Sequence, residues 1–134
     1  MILGVGVDLV RIERVRQAME RWQERFLERV FTPDEVTYAR RRRNPAEHLA
    51  ARFAAKEATL KALGIGLTMG VRWRDMEVRR ARGERPRVSL SGRTAALVAA
   101  RGVRALHLSL THDGDYAMAQ VLAEGDPARR SEGT

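Results

Sequence analysis

The chain has 134 residues, 44% hydrophobic and 31% charged, with a formal net charge of +8. That length admits one domain with a real core. No apolar run approaches the ~18–20 residues of a membrane span, and the start lacks the basic region of a signal peptide. The absence of cysteine excludes a disulfide scaffold, a thiol nucleophile and Cys-ligated zinc, and fits a cytoplasmic protein.

Residues 2–13 read as a β-strand, with Val5, Val7 and Leu9 on one face and Gly4, Gly6 and Asp8 on the other. Residues 14–29 turn helical: Val15, Met19, Trp22 and Phe26 form an apolar stripe, and Arg14, Arg21, Arg25 and Glu28 lie opposite. Thr32-Pro33-Asp34-Glu35 predicts a capped helix start, with Thr32 at the N-cap and Glu35 completing a capping box. A longer helix is expected from about Pro45 to Leu63, closed by Gly64. Residues 71–80 and Val88-Ser89-Leu90 read as strands around a turn at Gly83 and Pro86. Residues 93–101 suit a helix. Leu106 to Thr111 alternates as a strand, Asp113-Gly114-Asp115 is a hairpin turn, and Tyr116 to Leu122 returns. The sum is an α+β domain over residues 1–124, helices against a mainly antiparallel sheet. Residues 125–134 read as a polar, flexible tail.

All but two of the 25 basic residues are arginine; the exceptions, Lys56 and Lys61, sit five apart on the long helix. A lysine ammonium is a compact point charge that can give up a proton, whereas guanidinium is a permanently charged fork. The scarcity therefore points to chemistry at these positions. Asp8 lies mid-strand between Val7 and Leu9, where an isolated carboxylate is costly to bury unless it pairs with a cation, a metal or an arginine such as Arg14. At about 100° per residue, Glu57 and Lys61 share one flank of the long helix beside Ala50 and Ala54, while Lys56 projects into the apolar stripe. Arg52 falls on the other flank, roughly 140° away. Glu57 and Arg52 therefore cannot serve one small site within one chain, which suggests a site shared between subunits. His107 and His112, five apart on a strand, point to opposite faces and make poor partners for one metal. His107 shares its face with Ser109 and Thr111, and His112 stands at the strand end beside the turn.

Three motifs, in order, resemble the holo-acyl-carrier-protein synthase family, the small 4′-phosphopantetheinyl transferases. They are Gly4-Val5-Gly6-Val7-Asp8-Leu9-Val10 with Ile12 and Arg14; Arg52-Phe53-Ala54-Ala55-Lys56-Glu57-Ala58 with Lys61; and His107-Leu108-Ser109-Leu110-Thr111-His112 with Ala117 and Ala119. Ile65 departs from the threonine common between the two glycines in that family. The resemblance implies the 4′-phosphopantetheinyl transferase fold and transfer of the phosphopantetheine arm of coenzyme A to a serine of apo acyl carrier protein. It assigns Asp8 and Glu57 to a Mg²⁺ on the pyrophosphate, and implies a homotrimer with active sites between subunits. It puts Arg52, Lys61, His112, Ser109 and Arg14 toward coenzyme A, with Arg52 and His112 at the nucleotide and its 3′-phosphate. Glu57, or a metal-bound water that it orients, is then the base for the carrier serine. Lys61 stabilises the leaving bisphosphate. The arginine face of Arg14, Arg21 and Arg25 suits an acidic carrier protein. The alternative for so basic a chain, with Arg40-Arg41-Arg42-Arg43, is a nucleic-acid-binding module, but the aromatic fraction is only 5% and no recognition motif accompanies the charge.

Overall fold

The computed structural model describes residues 1–127. In chain order the elements are β1 (Ile2–Arg11), α1 (Ile12–Trp22), α2 (Glu24–Val30), α3 (Pro33–Arg40) and α4 (Pro45–Leu63). They continue with β2 (Met76–Arg79), β3 (Arg87–Leu90), α5 (Gly92–Ala100), β4 (Val103–Asp113) and β5 (Tyr116–Gly125). An antiparallel sheet runs in the order β1-β5-β4, and β2 and β3 form a separate antiparallel pair. The α+β class expected from the pattern is the one observed.

The molecule is organised around α4. Proline at its first turn and Gly64 at its end, in the left-handed region at φ 65°, set its limits. Leu49, Ala50, Ala54, Ala55 and Ala58 are all buried. The small side chains let the helix lie close on the sheet, against Ala117, Ala119 and Val121 of β5. The approach to β1 is closer still. A Cβ built on Gly4 would lie 1.9 Å from the Ala62 carbonyl oxygen, and one on Gly6 would lie 1.9 Å from that of Ala58. The glycine face of β1 is thus the covered one. Val5, Val7 and Leu9, on the other side, remain 52%, 47% and 59% exposed.

The Thr32 cap forms as the sequence predicts: Thr32 Oγ1 accepts from the Glu35 amide, and Glu35 Oε1 accepts from the Thr32 amide. Glu35 does more than cap. Its Oε1 also receives the Lys56 ammonium at 2.6 Å, and its Oε2 receives the Val78 amide of β2 at 2.8 Å. Lys56 Nζ donates in addition to the Val30 carbonyl at 2.6 Å. Both side chains are fully buried. One carboxylate–ammonium pair thereby ties α2, α3, α4 and β2 together. Burial pulls the Lys56 ammonium below its ordinary value, and Glu35 opposes that pull.

Four expectations are corrected. Residues 14–29 are two helices, interrupted at Gln23, whose φ of 48° is the one positive value outside glycine among the described residues. Trp22 accordingly leaves the apolar stripe and is half-exposed, while Ile12, Leu27 and Val30 join the core. Residues 73–75 wind into a single 3₁₀ turn, so the strand there is only β2. Gly125 belongs to β5, where its amide donates to the Met1 carbonyl, rather than to a tail. Asp126 and Pro127 follow, the Asp126 amide donating to the Gly102 carbonyl; residues 128–134 of the expected tail lie outside the described residues.

Candidate active site

Pressing β1 onto α4 brings three of the singled-out residues together. Lys61 Nζ lies 3.0 Å from Asp8 Oδ1 and donates also to the Val7 carbonyl at 3.1 Å. Asp8 therefore pairs with lysine rather than with Arg14. Glu57, one turn before Lys61, lines a cavity of about 330 Å³ together with Asp8, Arg14, Val15, Phe26 and Phe53. Its carboxyl is pushed above the ordinary range, first by burial and then by the negative charge of Asp8, with Lys61 opposing. Two carboxylates close enough to repel, with one ammonium between strand and helix, form a site that gains from added positive charge.

The donor set fits Mg²⁺. It is all oxygen, and among the described residues no group of three or more Asp, Glu, His or Cys side chains forms a metal site. Mg²⁺ characteristically takes one or two carboxylates and fills its remaining positions with water and phosphate oxygens. Asp8 and Glu57 would hold it.

The remaining residues are elsewhere. Arg52, Ser109 and His112 line a second cavity of about 550 Å³ with Tyr38, His48 and Arg85. Strand order explains the separation. Asp8 lies on β1 and His112 on β4, at opposite edges of the sheet with β5 between them. Helix α4 lies across the same face, so its two flanks address different edges. The helical geometry anticipated this split between Glu57 and Arg52.

Arg52 is buried, and its Nε has no hydrogen-bond partner. His112 Nε2 stands 3.2 Å from Glu47. His107 does not line the cavity; its Nε2 stands 3.2 Å from Glu124. The sequence pattern gave no sign of Tyr38, His48, Arg80 and Arg85 as cavity residues. They come from α3, α4 and the β2–β3 connection, and only the fold collects them. His48, the third histidine, is drawn below its ordinary value first by burial and then by Arg52. Of the basic face, Arg14 shares the cavity of Asp8, whereas Arg21 and Arg25 are exposed and lie on separate helices either side of Gln23.

A strand aspartate, a helix glutamate and a lysine one turn on thus stand together beside a cavity on a sheet-and-helix frame. The family model of the 4′-phosphopantetheinyl transferase superfamily matches residues 4–121. The chain belongs to that superfamily. It is similar to the holo-[acyl-carrier-protein] synthase of Syntrophotalea carbinolica, 50% identical over 123 residues that cover 92% of this chain and 96% of the relative. Among solved structures it resembles the holo-[acyl-carrier-protein] synthase of Neisseria meningitidis, with a TM-score of 0.85, 30% identity and coverage of 92% and 99% of the two chains. It also resembles the Chronobacterium ammoniagenes ACPS–CoA complex, with a TM-score of 0.81, 37% identity and coverage of 92% and 97%. The nucleic-acid alternative gives way to this match.

Proposed function

We propose that the protein transfers the 4′-phosphopantetheine group of coenzyme A to a serine of an apo acyl carrier protein for fatty-acid or polyketide synthesis, releasing adenosine 3′,5′-bisphosphate. The observation that carries this reading is the Asp8–Lys61 pair beside the Glu57 carboxyl, in a chain of this superfamily. The serine oxygen forms a bond to the β-phosphorus, the bond from that phosphorus to the bridging oxygen breaks, and the serine proton passes to a base. Glu57, or a water that it orients, is the base that takes this proton. Lys61 faces the pyrophosphate and meets the charge that develops on the leaving bisphosphate. A Mg²⁺ held by Asp8 and Glu57 would neutralise phosphate charge and align the displacement. Phe26, Phe53 and Val15 give the cavity an apolar wall fit for the pantetheine arm.

The opposed cavities support a homotrimer whose active sites lie between subunits, the Asp8 edge of one chain meeting the Arg52 and His112 cavity of the next. Arg52 and His112, with Ser109 nearby, then hold the nucleotide and its 3′-phosphate. The exposed apolar face of Val5, Val7 and Leu9 is the surface such an assembly would cover. Light scattering on the parent and on Val7→Asp checks this: a parent that runs as a monomer sinks the shared site. No helix among the described residues is long and apolar enough to cross a membrane. Work in the cytoplasm, where coenzyme A and carrier proteins meet, is part of the proposal.

The test of the function is direct. The protein is incubated with coenzyme A, Mg²⁺ and an apo carrier protein, and the carrier is weighed by mass spectrometry. A gain of one phosphopantetheine arm is expected. An unchanged carrier mass with fatty-acid and polyketide carriers alike overturns the reading.

A further inference from the structure

The cavity of Arg52 adjoins another of about 690 Å³, rimmed by Arg42, Arg80 and Arg82, and the two share Tyr38, His48 and Arg80. Tyr38 stands at the junction. The Arg52 guanidinium carbon lies 4.1 Å from the centre of its ring, that of Arg42 lies 4.3 Å from the same centre, and the His48 ring meets it edge-on at 5.8 Å. Two like charges over one ring is an arrangement that needs a reason. They repel, and Arg42 lowers the Arg52 pKa alongside the larger effect of burial. An aromatic face attracts each guanidinium through its quadrupole, and more strongly where the cation is desolvated, as Arg52 is. Neither arginine has an ion pair with a carboxylate among the described residues. The Arg52 Nε is buried and unpartnered, and its Nη1 meets the His48 carbonyl oxygen at 3.5 Å.

We propose that Tyr38 is a positioning residue: its ring holds Arg42 and Arg52 as a paired receptor for the phosphomonoester of the nucleotide, and so sets preference for coenzyme A over its dephosphorylated form. The inference rests on the transferase reading and deepens it. A phosphomonoester dianion offers three oxygens, enough to take two guanidiniums at once. Holding both arginines in place beforehand removes the side-chain ordering cost from the binding step. Tyr38 does not touch the reacting atoms, so its loss acts on binding more than on turnover.

The experiment compares KM and kcat for coenzyme A and for dephospho-coenzyme A, which lacks the 3′-phosphate, in the parent, Tyr38→Phe, Tyr38→Leu and Arg42→Gln. The parent should prefer coenzyme A. Tyr38→Leu should raise KM for coenzyme A by about tenfold, the scale of one good cation–π interaction, with kcat changed far less and KM for dephospho-coenzyme A unmoved. Tyr38→Phe keeps the ring and should restore the preference. Arg42 is exposed, so Arg42→Gln is safe for folding and supplies the same test if the leucine variant is unstable: it too should erode the preference. A parent that discriminates while Arg42→Gln and a folded Tyr38→Leu keep the full preference overturns the positioning role alone. A parent that turns over both donors equally overturns the reading of this cavity as a phosphate site, and one that turns over neither overturns the transferase reading beneath it.

Discussion

Lys61 holds the strand that carries Asp8 twice over, through the Asp8 carboxylate at 3.0 Å and the Val7 carbonyl at 3.1 Å. The ammonium is anchored to the strand, yet it remains half-exposed and can be approached by an anion. A lysine is suited to both tasks, since its three donors radiate from one point and can be shared between strand and substrate.

Lys61→Arg should therefore lower kcat at least about tenfold although it preserves charge, because a planar fork spreads its donors away from the point the ammonium fills. Steady-state kinetics with an apo carrier protein reads it. Parent-like turnover would mean that the scarcity of lysine in this chain carries no chemical meaning.

Asp8→Asn and Glu57→Gln should each cut turnover by at least ~10²-fold, since each removes a carboxylate that we propose holds Mg²⁺ against a polyanion. Glu57→Gln should also stabilise the fold. Its carboxyl has a raised pKa in the folded protein, so the folded state binds more protons than the unfolded one as pH rises from the ordinary carboxylate range through the folded value. Stability is lost across that window and stays lost above it. The glutamine variant escapes the loss, so thermal melting should show it ahead of the parent at pH 7–8 and level with it in acid. Added Mg²⁺ should raise the melting temperature of the parent and not that of the variant.

The carrier's landing site is tested with Arg21→Glu and Arg25→Glu, both exposed. Exposed complementary charges act mainly on encounter and are screened by salt. Each variant should raise KM for the carrier several-fold and flatten its salt dependence, with KM for coenzyme A nearly constant. Joint movement of the two constants, or none, removes these helices from the docking surface.

Lys56→Met should be a folding defect and not a chemical one. Leaving the buried Glu35 carboxylate unpaired costs about 3–5 kcal/mol, which denaturant titration would resolve. A double variant, Lys56→Met with Glu35→Leu, should recover part of the loss but not the hydrogen bonds that Glu35 accepts from the Val78 and Thr32 amides. Full stability in the single variant would contradict the buried pair.

Much of the fold is legible in the sequence. The capping box at Thr32 and the glycine stop at Gly64 are local signals, and both are realised. The opposed flanks of Glu57 and Arg52 follow from helix geometry alone. What escapes is set by tertiary pairing. Lys56 resembles a chemical lysine in sequence because its partner Glu35 is 21 residues away and already accounted for as a cap. Alternation in β1 separates the glycines from the valines, but not which side is covered; the close seat of α4 decides that. Gln23 offers no breaker signal, since its left-handed φ belongs to a residue type that rarely adopts it. Tyr38 is an ordinary helix position in sequence, and only the fold lays two arginines over its ring.

The glycines of β1 have a further reach. Gly6 is two residues from Asp8, and a methyl group there would drive the strand off the Ala58 carbonyl. The strand carries the aspartate, and the helix carries Glu57 and Lys61, so the spacing between the charged groups is gauged by two missing side chains. In a mutational survey scored by activity, Gly6→Ala should rank beside Asp8 itself, although no atom of Gly6 binds metal or substrate. Changing a single hydrogen for a methyl would retune the reaction from beneath, through the width of a gap.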